Sequence, residues 1–126
     1  MKKRIHTDNA PAAIGPYSQA VEAGGFIYVS GQIPVDPATG ELAGNTIEAQ
    51  AKQSLSNVRA ILESADCTMN DVVKTTVLLA DIADFAGMNG VYADFFSEPF
   101  PARAAFAVKD LPKGAKVEIE VIALKS

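Results

Sequence analysis

The chain has 126 residues, 48% of them hydrophobic and 21% charged, and its 11 Lys and Arg against 15 Asp and Glu leave a formal net charge of −4. This composition predicts one folded domain over residues 1–126, and the acidic balance with scattered cations counts against a nucleic-acid partner. No apolar stretch is long enough to span a membrane and no apolar run follows the basic start, so we expect a cytoplasmic protein with no export signal and no membrane partner.

Two hairpins are predicted in the first third of the chain. Residues 17–23 and 26–30 indicate strands joined by Gly24 and Gly25, since adjacent glycines allow the positive φ angles of a two-residue turn. Residues 33–35 and 41–42 flank a turn-forming segment and predict a second, less regular hairpin, whose prolines favour the edge of a sheet.

Helices and strands alternate in the rest of the chain. Asn45 or Thr46 can cap an amphipathic helix whose apolar residues recur every three or four positions, namely Ile47, Ala51, Leu55, Val58, Leu62 and Ala65. Residues 72–79 predict a strand, and a second helix starts near Asp84 with four apolar residues on one face, namely Phe85, Met88, Tyr92 and Phe95. Gly87 and Gly90 lie inside this helix, so close packing or a ligand should account for them. Residues 103–108 and 116–124 predict a final hairpin.

This order of elements predicts an α+β fold with a mixed β-sheet and two helices on one face. Two helices can cover only one side of a sheet of about six strands. Residues 26–29 and 121–124 are nevertheless apolar at every position, which makes the second face of the sheet apolar as well. Because a large exposed apolar sheet would aggregate, we expect copies of the chain to cover it in a homo-oligomer.

Arg103 is the strongest candidate for a chemical role, because it is the only charged residue between Pro99 and Val108. A final hairpin would place Arg103 opposite Glu120 and Ala105 opposite Glu118, with all four side chains on one face. One interpretation is a cross-strand salt bridge between Arg103 and Glu120. The other is that Arg103 binds a substrate carboxylate through two hydrogen bonds while a neighbouring carboxylate orients a water molecule.

Other familiar catalytic groups are missing from the sequence. Ser30 lacks the glycine pattern of a nucleophile elbow, and Cys67 has no base nearby, so we expect Cys67 to be a packed core side chain. No glycine loop of a nucleotide-binding type is present. A single Cys and a single His, His6, cannot build a structural zinc site, so no metal is expected.

Five separated motifs follow one another along the chain. They are Ala-Pro-Ala-Ala-Ile-Gly-Pro-Tyr-Ser-Gln at residues 10–19, Ser-Gly-Gln-Ile-Pro at 30–34, Val-Lys-Thr-Thr-Val at 73–77, Phe-Pro-Ala-Arg at 100–103 and Val-Glu-Ile-Glu-Val-Ile-Ala at 117–123. Together these motifs resemble the RidA (YjgF, L-PSP) family of reactive-intermediate deaminases. The resemblance covers nearly the whole chain. It implies a chorismate-mutase-like fold that assembles as a homotrimer with a β-barrel-like core and with ligand clefts between subunits.

The resemblance also implies a reaction and a set of residues. The reaction is cofactor-free hydrolysis of 2-iminobutanoate, 2-iminopropanoate and their enamines, such as 2-aminoacrylate from pyridoxal-phosphate-dependent dehydratases, to 2-keto acids and ammonia. By position in the motifs, Arg103 corresponds to the residue that binds the substrate carboxylate, and Glu118 to the residue that positions the attacking water. The cleft-lining positions of the family correspond to Tyr17, Ser30, Gly31 and Asn89.

One departure from the family pattern is Ala105, where many relatives carry a cysteine. No thiol can take part here, although the backbone carbonyl of Ala105 can still face a ligand. A non-catalytic binder of small 2-keto acids or regulatory protein therefore stays open as an alternative. The older names of the family add a second alternative, an endoribonuclease or translation inhibitor. The net negative charge disfavours RNA, and Glu118 beside an anion-binding arginine favours water activation over simple binding.

Overall fold

Six β-strands and two α-helices build the chain in a computed structural model that describes residues 1–126. The elements in chain order are β1 (Lys3–Ile5), β2 (Ala20–Ala23), β3 (Phe26–Gln32), α1 (Ile47–Ser64), β4 (Val72–Leu79), α2 (Phe85–Phe95), β5 (Ala102–Ala107) and β6 (Val117–Leu124). Short 3-10 turns precede β4, α2 and β6. The predicted α+β fold is confirmed.

One mixed sheet holds all six strands in the order β1-β2-β3-β6-β4-β5. Neighbouring strands are antiparallel, except for the parallel pair β4 and β5. The predicted first hairpin turns at Gly24 and Gly25, whose φ angles are 59° and 86°. The predicted second hairpin is reduced to an isolated antiparallel bridge between Val35 and Leu42.

The N-terminal strand β1 is not predicted by the sequence pattern, because Lys3 and Arg4 make the segment look like a solvated terminus. The structure pairs β1 with β2, with Ile5 opposite Ala20. Ile5 is 7% exposed and belongs to the core, so one buried apolar side chain fixes a segment that is otherwise basic.

Both helices cover the same face of the sheet, as predicted. Thr46 caps α1 by accepting a hydrogen bond from the Ala49 backbone N–H at 3.1 Å. The apolar face of α1 and the α2 residues Met88 and Tyr92 join one core with alternate strand residues such as Val77 and Ile119. The sheet residues that pair with these positions therefore also face the helices.

The predicted hairpin between β5 and β6 is wrong. The long strand β4 lies between them and pairs with β5 on one side and β6 on the other. The connection from β5 to β6 crosses the end of β4, where Val108 N–H donates to the Leu79 carbonyl and Ala80 N–H donates to the Lys116 carbonyl. Turn-forming residues at 110–115 fit such a crossing as well as they fit a hairpin, so local sequence does not separate the two.

The opposite face of the sheet, here called the open face, is apolar and uncovered by helices. Tyr28, Phe106 and Leu124 on this face are 43%, 47% and 46% exposed. Register places the half-buried Ile122 beside Tyr28 and the half-buried Leu78 beside Phe106. The expectation that copies of the chain cover this face stays a prediction.

Neither helix combines the length and the hydropathy that a membrane crossing requires.

Candidate active site

Arg103 projects from the edge strand β5 toward helix α2. Its Nη1 donates a hydrogen bond to Asn89 Oδ1 at 2.7 Å, and its Cζ lies 4.7 Å from the centre of the Tyr92 ring. A cavity of about 440 Å³, here called the arginine cavity, is lined by Asn89, Tyr92, Ala93, Phe100, Pro101 and Arg103. The family resemblance predicts that Asn89 and Arg103 share one site, and the two side chains are in direct contact.

No carboxylate of the chain pairs with Arg103. The two ion pairs join His6 with Asp8 and Lys125 with Glu22. Of the two interpretations of Arg103, the cross-strand salt bridge with Glu120 is therefore wrong, because β4 separates the two strands that would carry it. The guanidinium keeps a full positive charge at a cavity wall without an internal counter-ion, which is an arrangement suited to an anionic ligand.

Arg103 and Glu118 lie on opposite faces of the sheet. Arg103 pairs with Thr75 of β4, and Glu118 pairs with Leu78 of the same strand. Paired residues point to the same face, and residues an odd number of positions apart along a strand point to opposite faces. The prediction that Arg103 and Glu118 share a face is wrong for a single chain. One chain therefore cannot bring both side chains to one ligand.

Glu118 lies on the open face beside Gly31 of β3. A register shift between Val29 and Gln32 marks a β-bulge that contains Ser30 and Gly31. A Cβ on Gly31 would overlap the Glu118 carboxylate, so the glycine leaves the space that this side chain occupies. Burial in the fold, and secondarily the negative charge of Glu120, raise the pKa of Glu118 above its ordinary value. A carboxylate with a raised pKa is a better acceptor of a proton from water.

Ser30 and Tyr17 are neighbours of Gly31, because Ser30 precedes it in β3 and Tyr17 lines one cavity with it. Ser30 Oγ donates to the Ser18 carbonyl at 2.6 Å, and Ser30 N–H donates to the Gln19 carbonyl at 2.9 Å. The Ser30 hydroxyl thus holds the segment that carries Tyr17. The Tyr17 side chain is 54% exposed and lines, with Gly31, Ile14 and Lys113, a second cavity of about 440 Å³, here called the tyrosine cavity.

The predicted residues therefore fall into two groups. Arg103 and Asn89 form the first group, at the arginine cavity, and Ala105 follows on the same strand face but packs partly against the core. Glu118, Gly31, Ser30 and Tyr17 form the second group. Sequence reasoning assigned Tyr92 and Phe100 to no site, although both line the arginine cavity.

Cys67 lies in the core, where it is 2% exposed and where burial raises the pKa of its thiol. A protonated, buried thiol is a packing group and a poor nucleophile. No cluster of three or more His, Cys, Asp and Glu side chains is arranged to hold a metal ion.

Similarity to known proteins extends along almost the whole chain. The family model for Endoribonuclease L-PSP matches residues 7–125. A RutC family protein of Pyrococcus horikoshii is 54% identical over 125 residues, which are 99% of each chain. A protein of Bos taurus named 2-iminobutanoate/2-iminopropanoate deaminase is 54% identical over 125 residues, which are 99% of this chain and 91% of the relative. The crystal structure of E. coli TdcF with bound serine matches with a TM-score of 0.93 and 46% identity, covering 98% of this chain and 99% of that one.

Proposed function

The chain belongs to the Endoribonuclease L-PSP family, also known as the RidA or YjgF family, and from that premise we propose that it hydrolyses the imines of small 2-keto acids. The observation that carries the proposal is the guanidinium of Arg103, which faces a cavity without any carboxylate partner from its own chain. Relatives that are named 2-iminobutanoate/2-iminopropanoate deaminase, at 54% identity in Bos taurus and 50% in Homo sapiens, support the same reaction.

Arg103 binds the substrate carboxylate. Asn89 occupies a single N–H direction of the guanidinium, and the other N–H groups make no hydrogen bond within the chain. Two parallel N–H donors match the two oxygens of a carboxylate, which fixes both the position and the plane of the substrate. The imine carbon is bonded directly to that carboxylate, so fixing the carboxylate also fixes the carbon that reacts.

Glu118 accepts a proton from water as the water oxygen attacks the imine carbon. The C=N double bond becomes a C–N single bond, and its electron pair moves to nitrogen. Glu118 then returns this proton to the carbinolamine nitrogen, and the ionised carboxylate takes the hydroxyl proton as the C–N bond breaks and the keto C=O bond forms. The departing ammonia takes up that proton and leaves as ammonium. A protonated imine and water thus give a 2-keto acid and ammonium, and no redox partner or cofactor enters the balance.

The two groups of residues meet between chains. Arg103 and Glu118 act on one substrate only if the arginine cavity of one copy lies against the Gly31 and Tyr17 side of another, because the sheet separates them within a chain. The apolar open face supplies the surface for such an assembly, with Tyr28, Phe106 and Leu124 as the largest exposed groups. We propose the homotrimer that the family resemblance implies, with one domain per chain and with the site at each junction.

The competing activity is the RNA cleavage in the family's name. The net charge of −4 offers no cationic track for a phosphate backbone. The single histidine, His6, pairs with Asp8 and lines neither cavity, so the usual general acid of RNA cleavage is missing from the site. Imine hydrolysis needs only the arginine and the carboxylate that are present.

The test follows 2-aminoacrylate, generated in situ by a serine dehydratase, with and without this protein. We expect the parent protein to accelerate its loss, and Arg103→Ala and Glu118→Gln each to reduce the acceleration by about 100-fold or more. The matched controls are Arg59→Ala, which removes an arginine that stacks on Phe95, and Glu63→Gln on the exposed side of α1. Both controls should keep the parent rate.

Absence of acceleration by the parent protein would contradict the deaminase proposal. If pyruvate still bound through Arg103 in that case, the protein would be a binder of small carboxylates. E. coli TdcF, which has been solved with bound serine, is a precedent for a relative that holds a small carboxylate ligand. Acceleration that survives Arg103→Ala would instead show that the carboxylate is bound elsewhere.

A further inference from the structure

Three side chains of one helix surround the Arg103 guanidinium. Phe85, Asn89 and Tyr92 follow one another at intervals of four and three residues on α2, which puts them on a single helical face. Asn89 accepts the hydrogen bond from Nη1 at 2.7 Å, while Arg103 Cζ lies 4.7 Å from the Tyr92 ring centre and 5.4 Å from the Phe85 ring centre. Both rings are within the roughly 6 Å at which an aromatic face attracts a cation.

The Tyr92 ring is itself fixed to the sheet that carries Arg103. Tyr92 is 5% exposed, and its hydroxyl shares a hydrogen bond of 2.8 Å with Oγ1 of the fully buried Thr75. Thr75 is the register partner of Arg103 across β4 and β5. The ring also packs on Phe96, with the two ring centres 4.6 Å apart. The surface under the guanidinium therefore cannot shift independently of the arginine backbone.

We propose that Tyr92, assisted by Phe85, is a positioning residue that presents Arg103 to a carboxylate ligand. The inference rests on the proposed function, in which Arg103 binds the substrate carboxylate. An exposed arginine has many rotamers, and a ligand that must select one of them binds more weakly than a ligand that meets an ordered guanidinium. The rings attract the guanidinium without using its N–H donors, and all of these donors except the one bound to Asn89 stay available to the ligand.

The first test measures the affinity for pyruvate and the steady-state kinetics of imine hydrolysis. Tyr92→Leu should weaken pyruvate binding about fivefold and raise KM by a similar factor, with kcat within about twofold. Tyr92→Phe keeps the ring and should stay within about twofold of the parent in both quantities. The matched control is Phe95→Leu on the same helix, because the Phe95 ring lies 5.1 Å from Arg59 and does not line the arginine cavity.

Tyr92→Leu and Tyr92→Phe both leave the buried Thr75 hydroxyl without its partner, so circular dichroism must show that each variant folds. Phe85→Leu is the second ring deletion, at a half-buried position that the fold tolerates more readily, and should weaken pyruvate binding about twofold to threefold. Affinities equal to the parent in both ring deletions would overturn the proposal.

A second readout does not depend on the ligand. The Nε–H resonance of Arg103, assigned with Arg103→Lys, should be displaced upfield by the ring in the parent, in Tyr92→Phe and in Phe95→Leu, and should move toward that of a free arginine in the two ring deletions. If Arg103→Ala left pyruvate affinity unchanged, the proposed function would fail, and the resonance would still decide whether Tyr92 orders Arg103. If the Arg103 Nε–H resonance had the same chemical shift in the parent and in both ring deletions, Tyr92 would not be a positioning residue for Arg103.

Discussion

The surroundings of Glu118 bear most directly on how the proposed imine hydrolysis depends on pH. Its side chain is half-buried on the open face, occupies the space that Gly31 leaves empty, and stands two residues from Glu120 on the same face of β6. Burial is the larger cause of its raised pKa and the charge of Glu120 is the smaller one. In the proposed reaction Glu118 is the general base, which works only when it is ionised, so we expect its raised pKa to delay the onset of imine hydrolysis as the pH increases.

We expect Glu120→Gln to shift the acidic limb of the kcat/KM profile to lower pH. The substitution removes the like charge that disfavours ionisation of Glu118, so the pKa of Glu118 falls and the base becomes ionised earlier. Burial remains, so the limb should still lie above the range of an ordinary glutamate. The measurement is kcat/KM for imine hydrolysis from about pH 4 to pH 8. Glu63→Gln on α1 should leave the limb in place, and a limb that moved upward in Glu120→Gln would contradict the assignment of Glu118 as the base.

Helix α2 is the element that connects the core to the arginine cavity, and its two internal glycines differ in what surrounds them. A Cβ on Gly87 would approach Ile47 Cγ2 to 2.7 Å and Glu48 Oε2 to 2.8 Å, so this glycine permits close packing of α2 on the start of α1. A Cβ on Gly90 would meet nothing within 4 Å. Of the two explanations that the sequence leaves open, close packing applies to Gly87, and nothing in the structure explains Gly90.

These surroundings predict opposite effects of the same substitution on one helix. Gly87→Ala should lower the free energy of unfolding by about 1–3 kcal/mol, because Ile47 is buried and cannot move aside without disturbing the core. Gly90→Ala should raise it by about 0.5–1 kcal/mol through helix propensity alone. Urea unfolding at one fixed chain concentration measures both. Equal effects of the two substitutions would show that α2 does not pack on α1 as described.

Local sequence patterns predict the helices and strands well, but they predict poorly which elements lie next to each other in the fold. The strand over residues 72–79 and the Thr46 cap of α1 match the structure because periodicity and capping are properties of adjacent residues. The predicted pairing of β5 with β6 does not match the structure, because no residue pattern in either strand indicates that β4 lies between them. Residues 85, 89 and 92 carry a signal that was available, since their spacing places them on one helical face, but no local pattern tells which strand that face will meet.

At the scale of the whole molecule, the sheet divides the candidate site. Arg103 and Asn89 lie at the arginine cavity on the helix side, and Glu118 lies on the apolar open face. A self-association that buries the open face and also joins the two groups accounts for both observations at once. The family resemblance predicted sites between subunits, and the opposite placement of Arg103 and Glu118 gives that prediction a physical basis.

The division of the site predicts that two inactive variants restore activity when they assemble together. Arg103→Ala chains keep Glu118, and Glu118→Gln chains keep Arg103. A junction is therefore intact where Arg103 of a Glu118→Gln chain meets Glu118 of an Arg103→Ala chain. In equal mixtures that are unfolded and refolded together, about three quarters of rings of three are mixed and each mixed ring holds a single intact junction. We therefore expect about one quarter of the parent activity per chain. Each variant refolded alone is the control, and a mixture no more active than the controls would show that the arginine and the carboxylate do not act across a junction.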